Sequence, residues 1–170
     1  AALGQLVIGL AYNDIAVLPD ALLEGYDGVE IYVDLSHNHI TTLGNDTFAR
    51  FGGVAAGVNL AHNPIAELPR GIFANFTGRD EPVLTPGLTV DLGGTAITTL
   101  PSQIFEPFDG SSLTVGLSES AVATIEPRAF ACSTGTLSVD LFNCSVGAWR
   151  EAMFEGFVGQ TLTVVLASND

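Results

Sequence analysis

The sequence predicts a single α/β solenoid, a right-handed coil with a parallel β-sheet on its concave face and short α- or 3-10-helical turns on its convex face. Three observations predict this class. A motif recurs along the chain as "VDLSHNHITTL" (33–43), "VNLAHNPIAEL" (58–68) and "VDLGGTAITTL" (90–100). The apolar residues at the start of each copy alternate strictly, which is typical of a half-buried strand. The chain is also 47% hydrophobic without a long apolar run, so its core material is spread evenly over thin layers.

The first element of each unit is a strand that closes on a leucine. The steps between successive closing leucines are 25, 25, 32, 25, 24 and 25 residues. These residues are Leu10, Leu35, Leu60, Leu92, Leu117, Leu141 and Leu166. The residues two and four positions earlier are also apolar, so each strand is predicted to direct alternate side chains into a core. A single unit cannot bury its own apolar edge, and neighbouring units must therefore stack on it.

The second element is a turn that contains a small side chain capable of hydrogen bonding, three residues after each closing leucine. These side chains belong to Asn13, Asn38, Asn63, Thr95, Ser120, Cys144 and Asn169. A bend leaves backbone groups without sheet partners, and a buried group without a partner costs about 1–3 kcal/mol. We therefore expect the seven side chains to form an interior turn ladder that bonds backbone groups of their own and neighbouring turns. A row of surface asparagines would not explain the regularly spaced isoleucines and valines that follow them.

The third element is a return segment, in which one helical turn is predicted around a phenylalanine. These phenylalanines are Phe48, Phe73, Phe105, Phe130 and Phe154. An insertion at 77–87, "TGRDEPVLTPG", accounts for the single 32-residue step. Protruding loops often contribute to recognition, but a tolerated surface insertion is the favoured interpretation.

The complete unit resembles the leucine-rich repeat, whose consensus is L-x-x-L-x-L-x-x-N/C-x-L. The units read "IYVDLSHNHI", "AGVNLAHNPI" and "LTVDLGGTAI", with two rather than three positions between the first two apolar residues. Return segments such as "LPRGIFANF" and "LPSQIFEPF" are similar to the L-P-x-x-x-F pattern of the extracellular "typical" subtype. The resemblance covers 1–170 as one domain of six full repeats and the strand of a seventh. It implies an extracellular protein, either secreted or the ectodomain of a surface protein.

Neither end of the chain shows a recognisable cap. Terminal coils of repeat proteins normally have a polar outer face, and extracellular members of the resembled family often close them with disulfides. No cysteine cluster flanks either end. We therefore expect the chain to be a piece of a longer solenoid, or, as a less favoured interpretation, a coil whose ends stack on further copies.

The charge of the chain restricts its partners. There are 19 acidic residues against five basic ones, for a net charge of -14. Such a surface repels nucleic acid and anionic lipid and favours a neutral or basic ligand. No apolar run approaches the ~20 residues of a membrane-spanning helix, so no direct membrane insertion is predicted for this segment. Cys132 and Cys144 lack metal-site or redox spacing and are expected to be buried structural thiols rather than a disulfide.

The concave face is the predicted ligand site, because its outward positions are acidic, small or aromatic and none of them is basic. The candidate ligand-binding residues are Tyr12, Tyr32, Asp34, His37, His39, Asn59, His62, Asp91, Glu119, Asp140 and Phe142. The three histidines form the one local cluster, and exposed turn residues are favoured there over a metal site or an acid-sensitive contact. No metal and no other cofactor is predicted.

A row of hydroxyl side chains is predicted on the same face. It consists of Thr89, Thr114, Ser138 and Thr163. Ordinary cross-strand pairing is favoured over an ice-binding role, since the acidic Asp91 and Asp140 interrupt the surface.

The predicted function is a non-enzymatic extracellular recognition or adhesion module for a protein or glycan ligand. No nucleophile elbow, phosphate-binding loop or dinucleotide fingerprint is present, and an enzyme is therefore not predicted. The alternative is a structural repeat unit of an extracellular filament or coat that assembles by end-to-end stacking. Three N-glycosylation sequons, at Asn45, Asn75 and Asn143, favour secretion.

Overall fold

The computed structural model describes residues 4–26, 28–48, 51, 54–73, 87–106, 108–148 and 150–169. Over these residues the chain is a parallel β-solenoid of about six turns, so the predicted repeat solenoid is confirmed. The strands are β1 (Gln5–Gly9), β2 (Glu30–Asp34), β3 (Ala55–Asn59), β4 (Gly87–Asp91), β5 (Thr99–Leu100), β6 (Asp109–Gly116), β7 (Thr124–Ile125), β8 (Cys132–Asp140), β9 (Phe157–Val158) and β10 (Thr161–Val165).

One main sheet runs the length of the solenoid in the order β1-β2-β3-β4-β6-β8-β10, and β9 pairs with β8 beside this path. All of these neighbours are parallel. The register places Leu6 opposite Ile31, and Ile31 opposite Ala56, as the alignment of the repeats predicts. The short strands β5 and β7 form a separate parallel pair after the turns. Each turn of the coil therefore returns the chain to the same end of the sheet.

The core lies between the main sheet and the return segments. The inward residues of the strands, among them Val58 and Val90, are buried. On the return side the phenylalanines predicted at each unit form a continuous column, with neighbouring rings stacked. Their centroids are 5.2 to 6.3 Å apart and their planes 11 to 16° from parallel. The members of this phenylalanine column are Phe48, Phe73, Phe105, Phe130 and Phe154.

The predicted α/β class is wrong, because the solenoid is nearly all β. Helical turns were expected around each member of the phenylalanine column. Among the described residues only one such turn occurs, the four-residue 3-10 helix Glu151–Phe154. The other described return segments bend through hydrogen-bonded turns and then enter the next strand.

A left-handed backbone residue interrupts a helical turn in four of the return segments. Ala21, Gly71, Gln103 and Arg128 occupy equivalent positions in four return segments, and all have positive φ, between 54 and 67°. A left-handed residue interrupts a right-handed helix. The N–H groups of Ala21, Gln103 and Arg128 also donate to the next coil, for example from Gln103 to the carbonyl of Arg128 at 3.0 Å. The equivalent Asp46 and Ala152 are not left-handed; the 3-10 helix forms around Ala152, whereas the segment with Asp46 bends through turns.

Polar side chains inside the coil are, with one exception, hydrogen-bonded. The buried polar residues among those described are Ser36, Asn38, Thr47, Asn63, Thr95, Ser120 and Thr134. Six of them have partners. Thr47 is the exception, since its buried Oγ1 has no hydrogen-bond partner. An unpaired buried hydroxyl is unfavourable, because it has lost its bonds to water.

We expect Thr47→Val to raise the free energy of unfolding by about 1–2 kcal/mol, since valine has the same shape and removes the unpaired hydroxyl. Urea unfolding followed by circular dichroism measures the change. The matched control is Thr42→Val at an exposed position, which should change stability by less than about 0.5 kcal/mol. A destabilised Thr47→Val protein would show that the hydroxyl has a partner in solution.

Candidate functional site

The candidate site is the outward side of the main sheet together with the turns that follow its strands, and we call this surface the sheet face. Tyr32 on β2 is a large aromatic residue of this surface, with 38% of its surface exposed. Its ring lies against β3 at Gly57, where a Cβ atom would come within 2.7 Å of the ring atom Cδ2. The absence of a side chain at Gly57 therefore allows the tyrosine ring to lean across the neighbouring strand.

A cavity of about 390 Å³ opens beside this ring. Its floor consists of small residues, and its polar lining comes from Glu30, Tyr32, Thr89 and Ser112. The Glu30 carboxylate accepts a hydrogen bond from Gln5 Nε2 at 2.9 Å. An aromatic ring beside a carboxylate and two hydroxyls can hold an amphipathic group through both its apolar and its polar parts.

Glu30 and Ser112 were not among the residues predicted for the site. Glu30 lies two residues before Tyr32, and Ser112 two residues before Thr114, on the same side of the sheet. The alternation of side-chain direction along each strand could have identified both residues as outward, because side chains two residues apart face the same side of a sheet.

The acidic residues predicted for ligand binding also have a local role at the ends of the strands. Asp34 is the last residue of β2, and its Oδ1 accepts a hydrogen bond from the backbone N–H of Ser36 at 3.0 Å. Asn59, Asp91 and Asp140 make the same bond to the residue two positions on. This Asx-turn geometry lets a side chain close the turn after the strand. The carboxylates are therefore held in fixed positions at the edge of the sheet face.

A column of left-handed residues follows these strand ends. Their φ angles lie between 52 and 63°. The column consists of Tyr12, His37, His62, Gly94, Glu119, Asn143 and Ser168. The backbone N–H of His37 donates to the carbonyl of Ala61 in the next turn at 3.0 Å, and the other turns repeat this bond. Inter-coil hydrogen bonding thus continues past the strands and compensates for the unfavourable backbone conformation.

Three side chains of this column stack. The ring centroids of Tyr12 and His37 are 4.2 Å apart, and those of His37 and His62 are 4.4 Å apart. The His62 ring in turn lies over Gly94, where a Cβ atom would be 2.4 Å from His62 Nδ1. The rings cover one another's faces. His39 is not in the stack; its Nε2 lies 3.3 Å from Asp14 Oδ1, and both side chains are well exposed.

The remaining predicted residues, Glu119 and Phe142, lie elsewhere on the sheet face. They are on the turns after β6 and β8, at least two strands from the strand that contains Tyr32. Phe142 is 40% exposed. The structure thus brings Tyr12, His37 and His62 together but does not unite all the predicted residues in one site.

Two rows of hydroxyl side chains cross the other half of the sheet face. The predicted row contains Thr89, Thr114, Ser138 and Thr163 in direct register. Beside it runs a second row, Ser112, Thr136 and Thr161. Hydroxyl pairs opposite one another stabilise neighbouring strands. The two rows make this half of the sheet face polar, with the carboxylates of Asp91 and Asp140 at the ends of its strands.

The turn ladder lies beneath the sheet face. Asn38 Nδ2 donates to the carbonyls of Leu35 in its own turn and Leu10 in the preceding one, at 2.9 and 2.8 Å. Its Oδ1 accepts the N–H of Ile15 at 3.0 Å. Asn63 and Asn169 repeat these three bonds one coil further and at the last coil. Each of these amides therefore joins two consecutive turns.

The other ladder residues make fewer bonds. Thr95 donates only to Leu92 in its own turn, at 2.7 Å. Cys144 Sγ donates to the carbonyl of Leu117 at 3.1 Å and lies 3.5 Å from Ser120 Oγ. Asn13, in the first coil, is exposed and donates to two carbonyls of its own turn. Cys144 therefore also reaches the preceding turn, through one bond, whereas the amides of Asn38, Asn63 and Asn169 each make three bonds that join two turns.

Both cysteines are buried and free. Burial raises the pKa of the Cys132 thiol to about 12. The thiolate is the reactive form of cysteine, so a thiol that stays protonated at neutral pH does not act as a nucleophile. Both cysteines are thus part of the core, and the Cys132 thiol is not activated as a nucleophile.

We expect Cys132 to resist a thiol-specific disulfide reagent in the folded protein at about pH 8, because thiolate formation is suppressed there. A Cys144→Ser variant, which leaves Cys132 as its only thiol, isolates this group. The reagent's absorbance should rise slowly in buffer and immediately in concentrated guanidinium chloride. Immediate reaction of the folded variant would contradict the burial of Cys132.

The described arginines are on the return side of the coil. Arg128 pairs with Glu106 at 3.0 Å, and Arg70 pairs with Glu126 at 2.9 Å. Hydrogen bonds from Gln103 and Arg128 lower the pKa of Glu106. A hydrogen bond from the Ser102 backbone N–H, with the charge of Arg70, lowers the pKa of Glu126. These cations therefore neutralise acids on the return side.

The strands that form the sheet face contain neither lysine nor arginine. Over the described part of the chain, no group of three or more His, Cys, Asp or Glu residues is arranged to hold a metal ion. No described helix has the length and apolar character needed to cross a membrane. The sheet face is thus an acidic, partly aromatic surface with a cavity beside Tyr32.

Comparison with known proteins does not place the chain in a family. No model of a known protein family matches it, and no curated protein is significantly similar to it. The geometry and charge of the sheet face are therefore the basis of the functional proposal.

Proposed function

We propose that this chain is a non-enzymatic recognition module of the extracellular leucine-rich-repeat type, which binds a basic polypeptide segment on the sheet face. The observation that carries the proposal is the uneven distribution of basic residues around the coil. Acids at the strand ends, such as Asp34 and Asp91, lie on a surface whose strands have no lysine or arginine. The described Arg70 and Arg128 are instead paired on the return side. Complementary charge favours a cationic partner and increases its association rate.

The cavity beside Tyr32 supplies the anchor for such a partner. Tyr32 offers a partly exposed ring, and Glu30 lines the same cavity. An arginine or lysine side chain of the ligand would lie against the ring and place its charge beside the carboxylate. Cation–π contacts of this kind contribute about 0.5–2 kcal/mol, depending on solvent exposure. The small floor residues, including Ala55 and Gly57, leave room for the side chain.

A fluorescent oligo-arginine peptide tests the proposal by anisotropy titration at low salt. Glu30→Gln and Tyr32→Ala are expected to weaken binding about three- to thirtyfold, the range that corresponds to about 0.7–2 kcal/mol. The matched control is Glu67→Gln, which removes the same charge from an exposed position on the return side. Equal losses in Glu30→Gln and Glu67→Gln would mean that the peptide senses only net charge, which contradicts a site on the sheet face. Tighter binding of a neutral oligosaccharide would favour the glycan class of ligand instead.

A structural unit that stacks end to end is the second candidate function. It is favoured by the apolar side chains exposed on the outermost strands, including Leu6 at 40% and Leu162 at 41%. Exposed strand edges of this kind readily pair with other strands. Sedimentation velocity over a range of protein concentrations distinguishes the two functions. Rods that lengthen with concentration support stacking, and a constant monomer supports recognition.

A further inference from the structure

We infer that Asn45 is an N-glycosylation site, modified before the second coil closes around Thr47. The inference rests on the extracellular location proposed above, since N-linked oligosaccharides are added in the secretory pathway. By sequence, Asn45, Asn75 and Asn143 are equivalent candidates. Asn75 lies outside the described residues. The structure separates the other two.

The hydroxyl of Thr47 is not explained by the folded protein. The Thr47 side chain is fully buried, and its Oγ1 has no hydrogen-bond partner. The backbone at this position is satisfied, because the Thr47 N–H donates to Gly44 at 3.2 Å and the Leu22 N–H donates to the Thr47 carbonyl at 2.8 Å. Valine would fill the same volume without burying a hydroxyl.

The equivalent positions in the other units show what the fold requires. All of them contain apolar side chains. They are Leu22, Ile72, Ile104, Ala129 and Met153. Thr47 is therefore the one polar residue at this position of the repeat. The buried polar residues elsewhere in the described chain have hydrogen-bond partners.

The hydroxyl is explained by a requirement of the unfolded chain. Asn45-Asp46-Thr47 is a sequon, and N-glycosylation requires a serine or threonine two residues after the acceptor asparagine. Asn45 itself is exposed, in the turn that ends at Phe48 on the return side. An oligosaccharide on its Nδ2 extends into solvent and leaves the sheet face open. Thr47 thus serves the transfer reaction first and is buried afterwards.

The sequon at Asn143 differs, because its hydroxyl is not buried. Its hydroxyl residue, Ser145, is exposed and remains hydrated, so its presence is not unfavourable in the folded state. Asn143 is also a left-handed residue beside the sheet face, and its N–H donates to Ala167 at 3.0 Å. The structure therefore singles out Asn45 among the sequons that it describes.

The reaction joins Asn45 to an oligosaccharide carried on a polyprenyl pyrophosphate. A bond forms between Asn45 Nδ2 and the anomeric carbon of the first sugar. The bond from that carbon to the pyrophosphate oxygen breaks, and the polyprenyl pyrophosphate leaves with the electron pair. The amide nitrogen loses one proton, so no oxidant or reductant is needed.

Translation of the full chain behind a signal sequence, in the presence of endoplasmic-reticulum microsomes, tests the inference. A known glycoprotein translated in the same reaction is the internal standard. Trypsin places the three sequons on separate peptides, 1–50, 71–79 and 129–150, because arginine is the only basic cleavage residue in the chain. Mass spectrometry before and after peptide N-glycosidase treatment then reports each sequon. The variants are Asn45→Gln, Thr47→Val and Thr47→Ser, with Thr42→Val as the control outside the sequon.

We expect the oligosaccharide on peptide 1–50 of the wild type, Thr47→Ser and Thr42→Val, and its complete loss in Asn45→Gln and Thr47→Val. Made without microsomes, Thr47→Val should unfold at a higher urea concentration than the wild type. An unmodified wild-type peptide 1–50 beside a glycosylated standard overturns the inference. So does a lower unfolding midpoint for Thr47→Val, because the hydroxyl would then be needed by the fold.

Failure of the inference and failure of the proposed ligand are distinguishable. Binding of the oligo-arginine peptide is measured on protein that has no glycan. If this peptide does not bind, the mass of the tryptic peptide 1–50 from the microsome experiment is unaffected. An unmodified Asn45 in microsomes, conversely, leaves the titrations with Glu30→Gln and Tyr32→Ala unaffected.

Discussion

Replacing Phe105 with alanine is expected to lower the free energy of unfolding by about 3–5 kcal/mol. Phe105 is fully buried at the centre of the phenylalanine column, with its ring centroid 5.3 Å from that of Phe73 and 6.3 Å from that of Phe130. Each neighbouring ring is held by its own coil, so the cavity left by the missing ring cannot close easily. Urea unfolding followed by circular dichroism measures the loss.

Two controls make the Phe105 result specific. Phe142→Ala removes the same ring from a position that is 40% exposed, and its effect should stay below about 0.5 kcal/mol. A double-mutant cycle between Phe73 and Phe105 should give a coupling energy of about 0.5–1.5 kcal/mol, as expected for stacked aromatic pairs. Equal losses at Phe105 and Phe142 would contradict the phenylalanine column as the main packing element of the return side.

Replacing Asn63 with leucine is expected to lower the free energy of unfolding by about 2–4 kcal/mol. Asn63 Nδ2 donates to the carbonyls of Leu35 and Leu60 at 2.9 and 3.0 Å, and its Oδ1 accepts the N–H of Ile40 at 3.0 Å. Leucine would leave these buried backbone groups without partners and would crowd a tight turn. Chemical unfolding of the variant and the wild type in parallel gives the difference.

The controls for Asn63 are one exposed ladder residue and one adjacent residue. Asn13→Leu removes an amide that bonds only its own turn, and it should be clearly less destabilising than Asn63→Leu. His62→Asn keeps a residue type that tolerates the left-handed conformation recorded at φ 56°, so its loss should stay below about 0.5 kcal/mol. If all three variants lose the same stability, the bridging bonds of the turn ladder contribute nothing measurable.

The register of the coils could be predicted because it is repeated. One ambiguous segment such as "AAGVN" of β3 is weak evidence for a strand, but its alignment with "EIYVD" of β2 identifies each inward residue. The structure places Val33 opposite Val58 as that alignment requires. The turn positions, such as Asn38 and Asn63, could be located for the same reason, whereas their bonding partners needed coordinates.

Which residues together form the site was harder to predict than where each residue lies in its coil. Asp34 was chosen because it is acidic and outward, yet its Oδ1 is bound to the Ser36 N–H. The cavity beside Tyr32 depends on Gly57 in the next strand and Ser112 two strands further. Such a cavity is a property of several coils together, and no single repeat contains the information for it.

By itself, the sequence determined the solenoid. The spacing of its closing leucines, the period-two alternation before them and the small polar residue after them allow only a stack of parallel strands that bury one another's edges. These features are local and repeated, so they can be recognised in the sequence without knowledge of contacts. The acidic, arginine-free strands were equally visible in the sequence.

Only the tertiary structure decided the form of the return segments and the contacts of the sheet face. It also decided that the Thr47 hydroxyl is buried without a hydrogen-bond partner. Helices were expected where left-handed residues occur, because Gln103 and Arg128 are not types that signal positive φ. Their N–H groups bond to the following coil rather than within a helix. The burial of the Thr47 hydroxyl likewise depends on the stacking of coils, in which the Leu22 N–H donates to the Thr47 carbonyl at 2.8 Å. Contacts between coils, which a linear pattern does not record, thus determine which backbone and side-chain groups find partners.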